Sequence, residues 1–188
     1  RKNAVVARHV TATSTSTTVY IGENNQTAGT VSIVENSDGT FTDGTGSYNT
    51  FELCLATGET FAAAPSATVS AGNLQLRSGA AAVAPGTAVV GTPFTSGSGN
   101  ANCYYWTVWD ASTTASTVTI GPLKGNVPAG LSVGPTNVAV GIGSVAAFDV
   151  PTAIQLKVAD RLFRNQVVVT ALSQPTIPLG SNGSAVGD

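Results

Sequence analysis

The sequence contains no methionine, a single histidine and few charged side chains. Charged residues make up 10% of its 188 residues, whereas ordinary soluble domains have about 25%. Hydrophobic residues still make up 42%, which argues against disorder, because disordered chains combine low hydrophobicity with high charge. The eight lysines and arginines are scattered along the chain, so the sequence lacks the basic stripe that a nucleic-acid-binding protein needs.

Long apolar runs are missing too, since none approaches the ~20 residues that a membrane-spanning helix needs. We therefore expect no membrane span. We also expect a mature or excised form, because the sequence has neither an initiator methionine nor a signal peptide. Threonine and serine take the place of charges as the polar surface, which is common in secreted β proteins. The composition therefore predicts an extracellular, cell-surface location.

Cysteine is scarce: Cys54 and Cys103 are the two in the chain, and neither lies in a Cys-x-x-Cys motif. Together with the one histidine, His9, they cannot complete a tetrahedral zinc set unless a carboxylate helps. A disulfide between them is the natural interpretation in an oxidising compartment. It would close a loop of about 50 residues, worth on the order of 4 kcal/mol in the chain-entropy model. The alternative is two buried free thiols.

Alternating apolar and polar residues predict strands along most of the chain. The expected strands are residues 30–35, 51–55, 67–70, 73–77, 104–109, 116–120, 137–142, 154–158 and 166–171. Turn signals separate them at roughly 8–12 residues, a spacing typical of sandwiches and barrels. We therefore predict an all-β, antiparallel, Greek-key-like sandwich over residues 14–172. Residues 1–13 are expected to form an extended strand or linker, and residues 173–188 a tail or the start of the next repeat.

The same alternation predicts which side chains line the inner face of the sandwich. They are Val31, Ile33, Leu53, Leu55, Val118, Ile120, Val138, Val140 and Leu156. Residues 153–163 have weak helical character, but their apolar residues keep a period of two, so we predict a strand there.

The end of the chain repeats its beginning. Residues 169–173 resemble residues 10–14, and each segment precedes a Gly-x6-Gly stretch that holds an Asn-x-Ser/Thr triplet, at Asn25 and Asn182. A repeat of about 158 residues is a whole domain, which indicates one module and the opening of the next. The alternative is chance similarity between Thr/Ser/Gly-rich strings.

The repeat predicts head-to-tail assembly, with copies of the chain or adjacent modules as partners. Residues 3–13 and 166–173 are candidate donor strands, because an extended segment can cover the exposed sheet edge of a neighbour. Covalent tandem modules are an equal alternative. Asn25 and Asn182 would then be possible glycosylation sites on equivalent turns.

Three segments, residues 28–35, 51–61 and 115–121, resemble the repeated β domains of bacterial surface-layer and related cell-surface proteins. They show a Gly-led strand ending in Glu, then a Leu-x-Leu strand with a Thr-Gly turn, then a Ser-Thr-x-Thr-Ile strand. The resemblance covers residues 28–142, with the Ser/Gly-rich residues 80–102 as an insertion. It implies a β-sandwich, an extracellular structural role and often calcium.

One acidic cluster, in residues 35–46, is a candidate calcium site. Glu35, Asp38 and Asp43 could supply some of the six to eight oxygen ligands that calcium takes. Their spacing is not that of an EF-hand, and Asp-Gly pairs also mark tight hairpin turns. Calcium is therefore the single cofactor that we consider, with a hairpin as the competing interpretation.

The segment 104–109 holds four of the twelve aromatic residues. In a strand Tyr105 and Trp109 share one face, and Trp106 lies on the other. Tyr105, Trp106 and Trp109 are a possible stacking platform for sugar rings of cell-wall glycans. The alternative is core packing on one face and packing between domains on the other.

No catalytic set emerges from the sequence. Ser132 lies in a Gly-x-Ser-x-Gly match, but the flanking prolines do not suit the strand and helix of a nucleophile elbow. Glu52 and Glu59 are conceivable as a glycosidase pair, and a solvated face is the interpretation that we prefer. The sequence thus favours a non-enzymatic structural subunit of a surface layer or filament. The alternatives are a carbohydrate-binding adhesin module and an accessory domain of a secreted hydrolase.

Overall fold

A computed structural model describes residues 10–42, 49–56, 58–95, 102–143 and 154–164. These residues form sixteen strands and no helix. The described part of the chain therefore contains no helix that could cross a membrane. The strands are β1 (Val10–Ser14), β2 (Thr17–Tyr20), β3 (Gln26–Thr27), β4 (Val31–Glu35), β5 (Thr50–Leu55), β6 (Thr60–Phe61), β7 (Ser66–Ala71), β8 (Gln75–Ser78), β9 (Ala81–Val83), β10 (Val89–Val90), β11 (Thr92–Phe94), β12 (Cys103–Asp110), β13 (Thr117–Ile120), β14 (Lys124–Asn126), β15 (Gly134–Gly143) and β16 (Ile154–Leu162).

Two large sheets form the sandwich. The five-stranded sheet has the order β1-β4-β13-β7-β10, and the eight-stranded sheet has the order β2-β16-β15-β5-β12-β8-β9, with β11 also paired to β12. A small sheet, β3-β14-β6, adjoins them. The described pairings are antiparallel except that of β2 with β16. The predicted all-β antiparallel sandwich is therefore confirmed.

The core lies between the two sheets and follows the predicted alternation. Eight of the nine predicted inner-face side chains are buried, and Leu156 packs half-buried against them. Large aromatic rings fill the centre: Phe51 of β5 stacks on Trp106 of β12 with ring centroids 5.3 Å apart. The indole of Trp106 donates a hydrogen bond to the carbonyl oxygen of Val89 at 2.8 Å, which satisfies its buried polar atom.

The first described strand begins at one end of the sandwich, which we call a pole, and the last described strand ends at the opposite pole. β1 and β2 follow one another alongside β16: the Ser14 hydroxyl donates to the carbonyl of Lys157 at 2.8 Å, and Tyr20 of β2 aligns with Leu162 of the parallel strand β16. Val10 therefore lies at the pole where β16 begins, and Leu162 at the other. The nine residues of β16 separate the poles by about 30 Å, at ~3.3 Å per residue.

The sandwich begins earlier than residue 14. Residues 10–13, which we assigned to an extended segment outside the domain, pair with β4 in the domain's own sheet, and Val10 is buried. Burying Val10 stabilises this strand at the sheet edge. The remainder of one donor-strand candidate, residues 3–9, and the whole of the other, residues 166–173, lie outside the described residues.

Gly29, which precedes β4, packs tightly against the segment where the chain passes from β1 to β2. Gly29 donates its N–H to the carbonyl of Val158 at 2.8 Å, and Thr15 donates to the carbonyl of Thr30 at 2.9 Å. A Cβ atom at Gly29 would lie 1.9 Å from the Thr15 carbonyl oxygen. Only a residue without a side chain allows the two segments to approach this closely.

Candidate functional site

The aromatic residues of β12 divide between the two faces of the sheet. Trp106 is 2% exposed and belongs to the core, so its assignment to a stacking platform was wrong. Because side chains alternate along a strand, Tyr105 lies on the outer face. Trp109, at the irregularity between Val108 and Asp110, lies on the same face under Arg77, and both rings are half-buried. These two rings remain as the candidate platform.

A cleft of about 270 Å³ opens beside Tyr105 of β12. It forms because β12 changes neighbours: Thr92 of β11 pairs with Tyr105, and β8 pairs with β12 from Val108 onward. Trp106 and Thr107 lie between the ends of these two neighbours. The residues that line the cleft include Arg77, Thr92, Tyr105 and Thr107.

The cleft also depends on a close approach at Gly91, the residue between β10 and β11. A Cβ atom at Gly91 would lie 2.8 Å from Cζ2 of Trp106. Glycine therefore lets this segment pack directly on the edge of the indole. Next to it, Val90 is 62% exposed on the wall of the cleft.

Arg77 projects from β8 at the cleft. Its guanidinium carbon lies 5.4 Å from the ring centroid of Trp109, and its Nε donates to the carbonyl of Gly79 at 2.8 Å. In the described part of the chain, the other basic side chains bond to a carboxylate or a hydroxyl. These pairs are Lys157–Asp160, Arg161–Glu59, Arg164–Glu23 and Lys124–Thr27. Arg77 thus presents a cation that no described carboxylate neutralises.

In the acidic cluster, Glu35 fixes the loop that follows β4. Glu35 is buried, and its carboxylate accepts the N–H of Phe41 at 3.0 Å and the N–H of Ser116 at 2.8 Å. Asp38 is exposed, and Asp43 lies outside the described residues. Among the residues whose placement is described, no group of three or more His, Cys, Asp or Glu side chains could hold a metal ion.

Glu59 is 2% exposed, so the interpretation of this residue as part of a solvated face was wrong. Its carboxylate forms an ion pair with Arg161 and accepts a hydrogen bond from the Thr136 hydroxyl at 3.0 Å. Arg161 also donates to the carbonyl of Ser132 at 3.2 Å. Ser132 itself is an exposed residue before β15, as its flanking prolines indicated.

Glu52 is only 1% exposed, so the solvated-face interpretation was wrong here too. It lies at the middle of β5, a central strand whose six residues are all buried. Its Oε2 atom has no hydrogen-bond partner. Burial raises the pKa of this carboxyl from an ordinary value of 4.5 to about 7, because an apolar environment disfavours the charged form.

The predicted disulfide between Cys54 and Cys103 is confirmed. The two residues are direct partners on β5 and β12, with Cα atoms 4.1 Å apart. The disulfide is buried beneath the outer face together with Ala139 and Phe94. It links two strands whose cysteines are separated by 49 positions in the sequence.

Asn25 is exposed in a turn with a positive φ of 53°. Its N–H donates to the side chain of Asn126 at 2.9 Å, which fixes the turn and leaves the Asn25 side chain at the surface. Asn182 and His9 lie outside the described residues.

The fold therefore defines an all-β sandwich whose central strands are joined by a disulfide. A scan against protein-family models gave no match to the chain, and neither did a search of curated proteins.

Proposed function

We propose that the protein is a non-enzymatic structural module of an extracellular surface layer or fibre, and that its modules assemble head to tail. The observation that carries this proposal is the position of the first and the last described strand. β1 begins at one pole of this sandwich and β16 ends at the other. This arrangement suits a module in a linear string.

The pairing of β2 with β16 also favours a role under tension. A force applied between the poles acts along these two parallel strands and shears their ladder. Since the hydrogen bonds of a sheared ladder must break together, such a pair resists pulling more strongly than one that opens bond by bond. The ion pair of Arg164 with Glu23 links the two strands' distal ends.

An extracellular location agrees with the disulfide, because disulfides persist in oxidising compartments. Neighbours in the string would be copies of the chain or adjacent modules. Since residues 10–13 pair in their own sheet, residues 3–9 are what remains of the proposed N-terminal donor strand. Asn25 would offer a surface turn for a glycan where the host glycosylates this triplet.

Assembly can be tested by electron microscopy and sedimentation velocity on the full chain over a concentration series. We expect filaments or arrays with an axial repeat no shorter than about 30 Å, the length of β16. Deleting residues 1–9 should retain the circular dichroism of the intact sandwich and abolish polymerisation by strand donation. Deleting residues 1–13 is a poorer test, because it also removes most of β1.

Covalent tandem modules require a second measurement, on two copies of the chain joined end to end. We expect small-angle scattering to give a maximum dimension close to twice that of one copy. A chain that stays monomeric at every concentration, and whose joined copies pack side by side, would contradict head-to-tail assembly.

A carbohydrate-binding adhesin module is the second candidate function. Tyr105 and Trp109 favour it, because these half-buried aromatic rings at the surface of the sheet suit the apolar faces of sugar rings. A glycan array distinguishes this candidate: binding should be lost in Trp109→Ala. Trp106→Ala is unsuitable for the comparison, since Trp106 is a core residue.

A further inference from the structure

We propose that the cleft beside Tyr105 binds a carboxylated sugar, with Arg77 pairing its carboxylate. This inference rests on the second candidate function, glycan binding, and does not depend on head-to-tail assembly. The inference adds that the glycan carries a negative charge.

The first argument is a comparison between two arginines with similar surroundings. Arg164 lies over the ring of Tyr20 at 4.2 Å, and its guanidinium is neutralised by Glu23. Arg77 lies over the ring of Trp109 at 5.4 Å, and no carboxylate in the described part of the chain pairs with it. The position that Glu23 fills at Arg164 is therefore open at Arg77.

The guanidinium of Arg77 is already oriented. Its Nε donates to the carbonyl of Gly79, so its two terminal amino groups remain for a ligand. A guanidinium fork matches a planar carboxylate, and the paired hydrogen bonds are roughly twice as strong as neutral ones. Since the cation is held by the protein before binding, less side-chain freedom is lost when the ligand arrives.

The remaining groups of the cleft suit a sugar ring. Tyr105 lines the cleft, and Trp109 lies four residues further along β12, at the irregularity between Val108 and Asp110, so a chain of sugars that starts in the cleft can reach both rings. Thr92 and Thr107 place hydroxyl groups, which both donate and accept hydrogen bonds, at the lining of the cleft.

The size of the cleft limits what enters it. At about 270 Å³ it is just below the ~300–1,000 Å³ of typical small-molecule pockets. This volume suits one ring, with the rest of an oligosaccharide lying across the outer face toward Trp109. A uronic acid or a sialic acid has the required combination of a ring, hydroxyl groups and a carboxylate.

The test is calorimetric titration of the full-length chain with three probes: a galacturonic acid trisaccharide, sialyllactose and the neutral galactose trisaccharide. We expect at least one acidic probe to bind about tenfold or more tightly than the neutral one. Arg77→Gln should weaken acidic binding by about tenfold or more, as expected for loss of a charged hydrogen-bonding partner. Arg77→Lys should recover part of the loss, since it restores the charge without the fork.

The matched control is Arg164→Gln, which removes the other ring-stacked arginine and should leave acidic binding unchanged. Both arginines are exposed, and an unchanged melting temperature would confirm that each variant folds. Equal binding of acidic and neutral probes, or acidic binding that survives Arg77→Gln, would overturn the charge assignment and leave glycan binding intact. Absence of binding to all three probes would overturn this inference, with the assembly measurements unaffected.

Discussion

Glu52 should make the stability of this protein fall as the pH rises through the neutral range. Its carboxyl lies buried on a central strand with one oxygen lacking a partner. Its register neighbours on β12 and β15 are Tyr105 and Gly141, and neither offers a positive charge. Burial therefore favours the protonated form and raises the pKa to about 7.

The direction of the effect follows from proton linkage. Between pH 4.5 and about 7 the unfolded chain releases the Glu52 proton while the folded protein retains it. The folded state then binds more protons, so the free energy of unfolding decreases with increasing pH. The interval between the two pKa values corresponds to a decrease of about 3 kcal/mol in the free energy of unfolding. This decrease is complete above the folded-state pKa. For a domain of this size that loss lowers the melting temperature by about 6–12 °C.

The measurement is denaturant unfolding of the oxidised protein at pH values from 4.5 to 8.5, for the wild type and for Glu52→Gln. The amide cannot ionise, so the variant should keep nearly constant stability over this range. It should be no more stable than the wild type at pH 4.5 and up to about 3 kcal/mol more stable at pH 8.5. Both proteins should carry His9→Gln, because an ordinary histidine titrates in the same interval.

Asp38→Asn provides the matched control, since it makes the same carboxyl-to-amide change at an exposed position. Parallel profiles for the wild type and Glu52→Gln would refute the reasoning. That result would mean that Glu52 acquires a partner or water in solution and ionises at its ordinary pKa.

Three further changes should destabilise the protein, each checked by denaturant unfolding at neutral pH. Gly29→Ala should cost about 3 kcal/mol or prevent folding, because its Cβ would overlap the Thr15 carbonyl oxygen; a loss under 0.5 kcal/mol would contradict this packing. Glu35→Ala should cost about 2–4 kcal/mol, since two buried N–H groups lose their acceptor; Asp38→Ala is the exposed control. Cys54→Ser with Cys103→Ser should cost about 4 kcal/mol by loop-closure entropy, and reduction of the wild type should match it.

The strands that bury one face were predictable from the sequence. In β4, Val31 and Ile33 are buried while Ser32 and Val34 are half-buried, so the alternation is visible in the order of residues. The same pattern located the inner face of β13 and β15. The pairing of Cys54 with Cys103 was predictable for a simpler reason, because two cysteines allow a single bond.

The buried carboxylates were not predictable by the same rule. In β5 the alternation correctly placed Glu52 opposite the core side chains, but that face is covered too. Glu59 is buried because it pairs with Arg161, which lies 102 positions away in the sequence. A local pattern carries no information about such a distant partner.

The cleft could not be predicted from the sequence, because the strands before β12 are too short to show a pattern. β9, β10 and β11 contain two or three residues each, too few to display a period. Residues 80–102 therefore read as a Ser/Gly-rich insertion, although several of them build one wall of the cleft. The role of Arg77 could not be predicted from the sequence either, because its lack of a carboxylate partner is a property of the folded surface.

The two proposed roles use different edges of the eight-stranded sheet. The chain passes from pole to pole along β2 and β16 at one edge, whereas β12, β8 and β9 lie at the other edge and carry Tyr105, Trp109 and Arg77. In the proposed string, contacts between successive modules would form at the poles, and the outer face of β12 would stay open. Each module would then present its own cleft, and weak binding of single sugars would add along a polymeric glycan through multivalency. The two proposed roles, assembly into a string and glycan binding at the cleft, are therefore compatible in one domain.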